Sequence, residues 1–423
     1  MSTNLPVLII GAGISGLAFA QGLLKAGIRF RIYERDPALN ARCQGYRFRI
    51  HGSGQAALAA LLPPDLYSYL EASCAITPPG GIIAGGSFDA LRDPSLGEIP
   101  GPYGANPPRP EVVNGGVEEP WNADRGVMRS VLMSNLEPFV NFGREFVGYD
   151  ITDSGVRVQF RDGGEVEGRL VVGADGTWSR VRQRLMPGFT LLDTEGRVVY
   201  GKTLLTPGFE ATFPKNCLRG LTLIQDRSQE LPLSLLLEPM RFKSNEYKDR
   251  GELPDDYVFW LLSSRKDRHT MLDKELLSLS PERSAALSKE MTANWHPAFK
   301  ALFDAQDVTK PSTLRIVSAP PDIPYWPPVA QVTLIGDAAH VMSPSAGHGA
   351  TTALRDAATL AQILIESGLS KETIGRYEAE MRIYAGARIL RSKVGGGWSF
   401  GMRDFEQLKS AERWMGKNPE NVA

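Results

Sequence analysis

The sequence predicts an α/β fold: a Rossmann-like dinucleotide-binding domain assembled from discontinuous segments, an inserted second domain of mainly antiparallel β-sheet, and a helical C-terminal tail. Three observations predict it. A glycine-rich loop follows an apolar strand near the start of the chain, two later apolar strands end in Gly-x-Asp or Gly-Asp, and a run of strand-like segments lies between those two strands. Because strands alternate with helices in a doubly wound sheet, the separated pieces fit one sheet interrupted by an insertion.

The first unit has four parts in order: an apolar run Val7–Ile10, the motif Gly-Ala-Gly-Ile-Ser-Gly at 11–16, helical spacing over 17–26, and a second strand Phe30–Tyr33. Glu34 follows 23 residues after Gly11, near the position where an acid binds a ribose hydroxyl. The glycines allow backbone N–H groups to approach a pyrophosphate at the helix N-terminus. The unit predicts dinucleotide binding, and Glu34 favours FAD or NAD over NADP. Arg35 follows Glu34 and either takes part in the same site or is a surface charge.

Each of the two later strands leads to an aspartate. Residues 170–172 are followed by Gly-Ala-Asp-Gly, which contains Asp175, and residues 332–335 are followed by Gly-Asp at Asp337. Ligands of open parallel sheets bind at the carboxyl ends of the strands. We therefore expect both aspartates to converge on the ligand of the glycine loop. The alternative is that each aspartate only caps the helix after it.

The remaining segments predict the second domain and the tail. Residues 77–125 are rich in Pro and Gly and predict loops and edge strands, whereas 126–136 predict a helix and 156–166 a hairpin. Further strands are predicted at 198–205, 221–224, 233–237 and 257–262, and a helical stretch at 274–303. The predicted boundaries are 1–76, 126–189 and 318–370 for the dinucleotide-binding domain, 77–125 and 190–317 for the substrate domain, and 371–423 for the helical tail.

Composition argues against several kinds of partner. The 47 Lys and Arg against 48 Asp and Glu give a net charge of −1, so no strong field favours nucleic acid or an anionic membrane. The three cysteines form no CxxC pair, and no apolar stretch is long enough for a transmembrane segment, so we predict a cytoplasmic protein. The histidines are too scattered for a metal site. We expect His340 to be structural and His348 to line a pocket.

Four motifs occur in order: GAGISG with Glu34, MRSVL, VVGADGTWSRVR and LIGDAAHVMSPSAGHGA. With them the chain resembles the FAD-dependent aromatic-ring hydroxylases with the p-hydroxybenzoate hydroxylase fold, over residues 7 to about 364. The resemblance implies noncovalent FAD, with NADPH or NADH as a transient reductant. The predicted cofactor-binding residues are Gly11, Gly13, Ile14, Ser15, Gly16, Glu34, Arg35, Arg47, Arg129, Asp175, Gly176, Arg182, Asp337, Pro344, Gly347, His348, Gly349 and Ala350.

The resemblance also implies how these residues divide the cofactor. The glycine motif would bind the ADP part, Arg129 would contact the flavin, and Asp337 would hold the ribityl chain. The motif at Asp175 would serve FAD and the passing NAD(P)H. Residues 347–351 would open a helix whose N–H groups face the N1/C2=O edge of the flavin, where the positive end of the helix dipole favours the anionic reduced ring.

The reaction implied by the resemblance is monooxygenation: NAD(P)H reduces FAD, O2 forms a C4a-hydroperoxide, and one oxygen atom passes to the substrate. Many relatives read Gly-Gln-Gly-Leu-Asn where residues 347–351 read Gly-His-Gly-Ala-Thr, a variant that resembles oxygenases of fungal secondary metabolism. This favours an aromatic, indole, alkaloid or polyketide-type substrate. The alternatives are an epoxidase or halogenase on the same fold, or a flavin-binding protein without turnover.

The substrate-facing residues are predicted from strand patterns alone. Tyr200 and Lys202 share one strand face, so we predict that they line the substrate pocket and orient an acidic hydroxyl as catalytic residues. Arg47 and Arg49 also alternate on a strand, and their face lies towards the flavin or in solvent. We predict a monomer or a homodimer.

Overall fold

The computed structural model describes residues 5–39, 41, 47–77, 85–101, 119–244 and 246–412, together with the backbone of 112–113 and 116–117. We refer to these as the described residues. Their two largest sheets are one parallel and one mainly antiparallel, with helices packed against both, and three smaller antiparallel sheets are formed by residues 146–168, by 47–50 with 121–124, and by 112–113 with 116–117. The predicted α/β fold class is confirmed.

The strands, in chain order, are β1 (Val7–Ile10), β2 (Phe30–Tyr33), β3 (Arg47–Ile50), β4 (Gly86–Asp89), β5 (Val112–Val113), β6 (Gly116–Val117), β7 (Trp121–Asp124), β8 (Val140–Asn141), β9 (Phe146–Thr152), β10 (Gly155–Phe160), β11 (Glu165–Gly168), β12 (Leu170–Gly173), β13 (Leu192–Leu204), β14 (Thr222–Asp226), β15 (Leu233–Met240), β16 (Tyr257–Arg265), β17 (Ser312–Ser318), β18 (Val332–Leu334) and β19 (Lys409–Ser410).

The α-helices, in chain order, are α1 (Ile14–Lys25), α2 (Gly52–Leu61), α3 (Pro64–Ala72), α4 (Arg125–Met133), α5 (Arg180–Leu185), α6 (Pro207–Thr212), α7 (Glu246–Asp249), α8 (Asp273–Leu276), α9 (Pro281–Met291), α10 (Pro297–Asp304), α11 (Asp337–His340), α12 (Gly349–Ser367) and α13 (Lys371–Phe400).

The parallel sheet has the strand order β18-β12-β1-β2-β8, so it combines chain segments far apart in sequence. Its central strand β1 is buried along its whole length, as expected for a parallel strand covered on both faces. Helix α1 packs against α12, α2 and α4. The carboxyl ends of β1, β12 and β18 therefore meet at one edge of the sheet, and the loops that follow them are neighbours.

The second sheet has the strand order β17-β13-β16-β15-β14-β4, and β19 adds to β13. All its neighbours are antiparallel except β14 and β4. It comes largely from the predicted insertion, although β4 comes from the Pro/Gly-rich stretch. The domain boundaries stay a prediction.

A short ribbon connects the first segment of the chain to the stretch before α4. Strand β3 pairs antiparallel with β7, and β7 ends at Asp124, whose carboxylate caps α4 by accepting the N–H groups of Gly126 and Val127. Such a cap satisfies backbone donors that the first helical turn leaves without partners.

Two predicted helical segments differ in the structure. Residues 274–303 were predicted as one stretch, but they form α8, α9 and α10, because Pro281 and Pro297 each start a new helix. The tail was predicted to be helical from 371 to 423. Its helix α13 ends at Phe400, where Gly401 takes the left-handed conformation with φ 73°, and the chain then pairs as β19 with β13. Residues 413–423 lie outside the described residues.

Within the described residues, no helix has both the length and the apolar character that a bilayer crossing requires.

Candidate functional site

A cavity of about 360 Å³ lies between the two sheets. One side, the loop end, is formed by the loops at the carboxyl ends of the parallel strands. Its described lining residues are Gly13, Ile14, Ser15, Ala174, Gly176, Thr177, Asp337, Pro344, Gly347, Gly349, Ala350 and Ala353. The other side, the sheet end, is formed by strands β13, β15, β16 and β17. It is lined by Val198, Tyr200, Leu236, Phe259, Leu261, Leu314 and Ile316, with Arg47 and Arg49 beside them. A volume in this range is typical of small-molecule sites.

The three glycines of the first loop have different tasks. Gly11 has φ 108°, and a Cβ atom there would overlap the carbonyl of Ala174. A Cβ atom at Gly16 would overlap the carbonyl oxygen of Gly11. A Cβ atom at Gly13 would meet nothing within 4 Å, because this glycine faces the cavity. The first and third glycines therefore make the turn and the packing, while the second leaves open space at the N-terminus of α1.

Glu34 and Arg129 hold this loop from behind. Glu34 Oε2 accepts the N–H of Ala12 at 2.8 Å, and Arg129 donates to the carbonyl oxygen of Ala12 from Nη2 at 3.1 Å. Arg129 also donates to the carbonyl oxygen of Leu39 at 2.9 Å. Both residues lie outside the cavity lining, so their contacts in this structure position the loop. Arg35 is exposed, in line with the surface alternative.

Asp337 is the carboxylate of the loop end. It lies inside the molecule, but it is exposed to the space of the cavity that it lines. Burial raises the pKa of Asp337, although nearby His340 and Arg125 oppose this shift. The preceding Gly336 has φ 63°, and a Cβ atom there would contact Ser15 Oγ at 2.8 Å. The Gly-Asp pair therefore brings the Asp337 carboxylate close to the glycine loop, and Asp337 is the one of the two predicted aspartates that lines the cavity.

A buried network lies directly behind Asp337. Asp356, on α12, accepts the N–H of Gly336 at 2.6 Å and contacts His340 Nε2 at 2.6 Å through the same oxygen. Its other oxygen accepts the hydroxyl of Tyr384 at 2.5 Å. Burial alone would lower the pKa of His340, but the Asp356 charge outweighs it and the pKa is raised. His340 therefore has the predicted structural position.

Asp175 and Arg182 also lie outside the lining. Asp175 accepts the Ser179 hydroxyl at 2.5 Å and the N–H of Arg180 at 2.7 Å, so it helps to satisfy the first turn of α5, whose N-cap residue is Ser179. Arg182 is buried and donates to the carbonyl oxygens of Ala338 at 2.8 Å and Thr177 at 2.7 Å. It therefore connects the loop after β12 to the loop after β18. Gly176 does line the cavity.

The loop before α12 contributes Pro344, Gly347, Gly349 and Ala350 to the cavity. Gly347 needs its left-handed backbone, with φ 68°. His348 was expected to line the pocket, but its ring is buried against that of His51, with centroids 4.8 Å apart, and it is not among the described lining residues. At Gly347 and Gly349 the loop therefore presents its backbone to the cavity, and a Cβ atom at either glycine would lie no closer than 3.9 Å to the described residues outside its own stretch of chain.

The predicted catalytic pair is divided between two environments. Tyr200 lines the sheet end, as expected. Lys202 is absent from the described lining residues, because its Nζ forms an ion pair with Asp124 Oδ2 at 2.8 Å and lies 4.0 Å from the centroid of the Tyr257 ring. Tyr257 donates to the same Asp124 oxygen at 2.7 Å. In this structure Lys202 supports the cap of α4.

The loop end fits a flavin dinucleotide. Gly13 and Gly349 both leave open space where a Cβ would stand, since the nearest atom to a Cβ at Gly349 is Met342 Cγ at 3.9 Å. The first turns of α1 and α12 border the cavity and supply backbone N–H donors, which suit phosphate oxygens and an electron-rich ring edge. Asp337 supplies an acceptor for hydroxyl groups.

Comparisons with known proteins point to the same cofactor. The sequence profile of an NAD(P)-binding Rossmann-like domain matches residues 9–62, and that of an FAD binding domain matches residues 329–390. An FAD-dependent monooxygenase of Penicillium herquei is 28% identical, over 89% of this chain and 86% of its own length. A Photorhabdus luminescens crystal structure, described as an FAD-containing monooxygenase, has TM-score 0.73 and 26% identity, and covers 94% of this chain and 99% of its own. Over most of its length the chain is similar, in sequence and in fold, to the family of FAD-dependent monooxygenases.

Another relative in this family has two functions. A dual O-methyltransferase/FAD-dependent monooxygenase of Phaeosphaeria nodorum is 39% identical, over 96% of this chain and 47% of its own length. The chain thus spans about half the length of the dual-function relatives it matches. FAD is the cofactor shared by this family, and a nicotinamide reductant fits the profile match at the start of the chain.

Several site residues were not found from the sequence. Glu238 pairs with Arg47 and Arg49, Arg315 lines the cavity, and Asp356 holds the Gly-Asp loop. For Glu238 and Arg315 a signal existed: each is the one charged residue in an otherwise uncharged strand, LSLLLEPM and STLRIVS. A buried charge without a partner is costly, so such residues indicate a partner or a ligand.

If Asp337 holds a cofactor hydroxyl, Asp337→Ala should weaken FAD binding about ten- to hundredfold, since a hydrogen bond to a charged group contributes about 1.5–3 kcal/mol. Asp162→Ala, in the exposed hairpin turn after β10, is the matched control and should leave FAD affinity unchanged. Titration of each apoprotein with FAD measures both. Equal dissociation constants for the two variants would contradict the assignment of Asp337.

Proposed function

We propose that this chain is a monooxygenase that binds FAD noncovalently, consumes NAD(P)H and O2, and inserts one oxygen atom into an aromatic, indole, alkaloid or polyketide-type small molecule of secondary metabolism. The observation that carries the proposal is a cavity that has both ends in one space: its loop end suits a flavin, and its sheet end suits a flat apolar molecule beside it. The fungal monooxygenases among the relatives support the substrate class.

When bound, FAD supplies the redox chemistry: it accepts a hydride from NAD(P)H and activates O2. The chain's own residues bind and orient the cofactor and the substrate and shield the reacting atoms from water. The backbone at Gly13 and the first turn of α1 hold phosphate charge, and Asp337 accepts hydrogen bonds from hydroxyl groups. The first turn of α12, at Gly349 and Ala350, places the positive end of the helix dipole, equivalent to about +0.5 charge, beside the cavity. Negative charge that develops on a ring at this position is stabilised.

The sheet end excludes water from the reacting atoms. Its aliphatic and aromatic lining, with Phe259 and Leu261 on β16 and Leu314 and Ile316 on β17, offers few hydrogen-bonding groups to solvent. A dry cavity protects a reactive oxygen donor from hydrolysis and strengthens each polar contact inside it. Tyr200 supplies a hydroxyl on this side. These properties suit oxygen transfer to an electron-rich ring better than they suit a flavin-binding protein without turnover.

We also propose that the protein acts in the cytoplasm, since Cys74 and Cys217 are buried free thiols and a reducing compartment would keep them so. We predict that the protein is a monomer or a homodimer and that its reductant is NADH or NADPH. Epoxidation and halogenation are the rival reactions. The same preparation tests each of these predictions.

The purified chain is expected to be yellow and to carry close to one equivalent of FAD that denaturation releases. In the presence of 18O2 and a true substrate, NAD(P)H oxidation should accelerate and one labelled oxygen atom should appear in the product. Mass spectrometry and the absorbance of NAD(P)H measure these results. A colourless protein that FAD cannot reconstitute would contradict the proposal, and so would a product whose new oxygen comes from water.

A further inference from the structure

Two arginines on one strand share a single carboxylate at the sheet end of the cavity. Arg47 and Arg49 lie two residues apart on β3 and point to the same side, where both form ion pairs with Glu238 of β15. The Arg49 contact measures 2.7 Å, and Asn122 of β7 donates to Glu238 at 2.9 Å. We call this group the Arg47–Glu238–Arg49 cluster.

The cluster carries one net positive charge in a buried place. The side chains of Arg47 and Arg49 are each 7% exposed, and that of Glu238 is 0% exposed. Among the described residues no second carboxylate pairs with either arginine, and neither Nε atom has a hydrogen-bond partner. A cation that is removed from water without a full complement of negative charge is costly, so this arrangement is incomplete without an anion.

The charged residues near the cluster do not neutralise its net positive charge. Asp124 is already paired with Lys202, and Arg315, which also lines the cavity, is a cation and not a carboxylate. Asp337 belongs to the loop end. Burial is the largest influence on Arg47 and lowers its pKa, even though Glu238 acts in the opposite direction. The positive charge of the cluster is therefore uncompensated at the sheet end.

The surface next to the cluster is flat and apolar. The guanidinium of Arg47 lies 5.4 Å from the centroid of the Phe259 ring, and Tyr200 and Leu261 line the same side. A molecule that fits here has an apolar ring against β13 and β16 and one anionic group at its edge. Glu238 fixes both guanidinium groups, so their orientation is set before a ligand arrives.

We propose that the Arg47–Glu238–Arg49 cluster binds a carboxylate or phenolate of the aromatic substrate and thereby selects anionic substrates and sets which ring edge faces the cofactor. This inference rests on the proposed function, since it names the substrate class of that same cavity. Arg47 is thereby assigned to the substrate, whereas the sequence had placed it among the cofactor-binding residues. If Arg47 binds the substrate, its loss changes anion selectivity. If Arg47 binds the cofactor, its loss changes FAD affinity.

The test uses the FAD-loaded protein and a matched pair of probes, 3-hydroxy-2-naphthoate and its neutral amide. Their dissociation constants are measured by calorimetry and by the change in flavin absorbance. We expect the parent to prefer the carboxylate about tenfold or more. Arg49→Met leaves Arg47 and Glu238 as a neutral pair and should abolish this preference, because a close charge pair in a cavity of low dielectric constant accounts for a tenfold or larger change in affinity.

Three controls separate charge from structure. Arg49→Lys retains the cation and should retain at least part of the preference, and Arg157→Met, at an exposed arginine of the β10–β11 hairpin, should retain all of it. Arg47→Met is the second variant if Arg49→Met does not fold. The FAD dissociation constant should stay within about threefold of the parent in every folded variant.

An equal preference in the parent and in Arg49→Met or Arg47→Met would overturn the inference. So would a loss of FAD affinity in these variants with the carboxylate preference intact, because the cluster would then be a cofactor contact. A parent that binds no FAD would contradict the proposed function instead, which keeps the two failures distinct.

Discussion

Replacing Asp356 by alanine is expected to destabilise the fold by about 3–5 kcal/mol, the typical cost of breaking a buried charged pair. The carboxylate is 0% exposed and has three partners: the N–H of Gly336, the ring of His340 and the hydroxyl of Tyr384. Its loss leaves all three groups buried with an acceptor missing. The midpoint and slope of urea-induced unfolding of the apoprotein measure the change in the free energy of unfolding.

The same variant should also weaken FAD binding, because Asp356 fixes Gly336 directly before Asp337. Asp304→Ala, at the exposed C-terminal end of α10, removes an aspartate paired only at the surface with Lys289 and should change stability by less than about 1 kcal/mol. Tyr384→Phe removes one partner and should cost about 1 kcal/mol. A parental free energy of unfolding for Asp356→Ala would show that the network contributes nothing.

The parts of the fold that could be predicted from the sequence are those that depend on local pattern. Strand β1, the glycine loop and α1 form one continuous segment, so periodicity and turn chemistry were sufficient. The hairpin of β10 and β11 was predicted for the same reason. Residues 274–303 were predicted as one helical stretch, although Pro281 and Pro297 each start a separate helix.

The parts of the site that the sequence could not predict depend on contacts between distant segments. Arg49 and Glu238 are 189 positions apart, and Lys202 and Asp124 are 78 apart, so no local pattern brings them together. Motif positions also do not show which side of a loop a residue occupies. Arg129 and Arg182 belong to the motifs, yet they bind carbonyl oxygens behind the cavity, whereas Gly13 and Asp337 face it.

A substitution at Gly13 gives the sharpest test of the loop end, because it should weaken cofactor binding strongly and change the stability of the fold only slightly. It has φ −77° and ψ −178°, an extended conformation that a valine adopts without strain, and a Cβ there meets no protein atom within 4 Å. Gly13→Val should therefore cost only about 1 kcal/mol of stability, the typical penalty for a poor residue at a helix N-cap. The added side chain would occupy the space in which the backbone approaches a pyrophosphate.

We expect Gly13→Val to weaken FAD binding about 100-fold, since displacing two charge-assisted hydrogen bonds of about 1.5 kcal/mol each has this effect. Gly208→Val, at an exposed glycine of α6 that also has open space around it, is the matched control and should bind FAD like the parent. Fluorescence titration of each apoprotein with FAD, beside its unfolding curve, measures both quantities. A folded Gly13→Val protein with parental FAD affinity would mean that the phosphates lie elsewhere, because no dinucleotide could approach the N-terminus of α1 past a valine at this position.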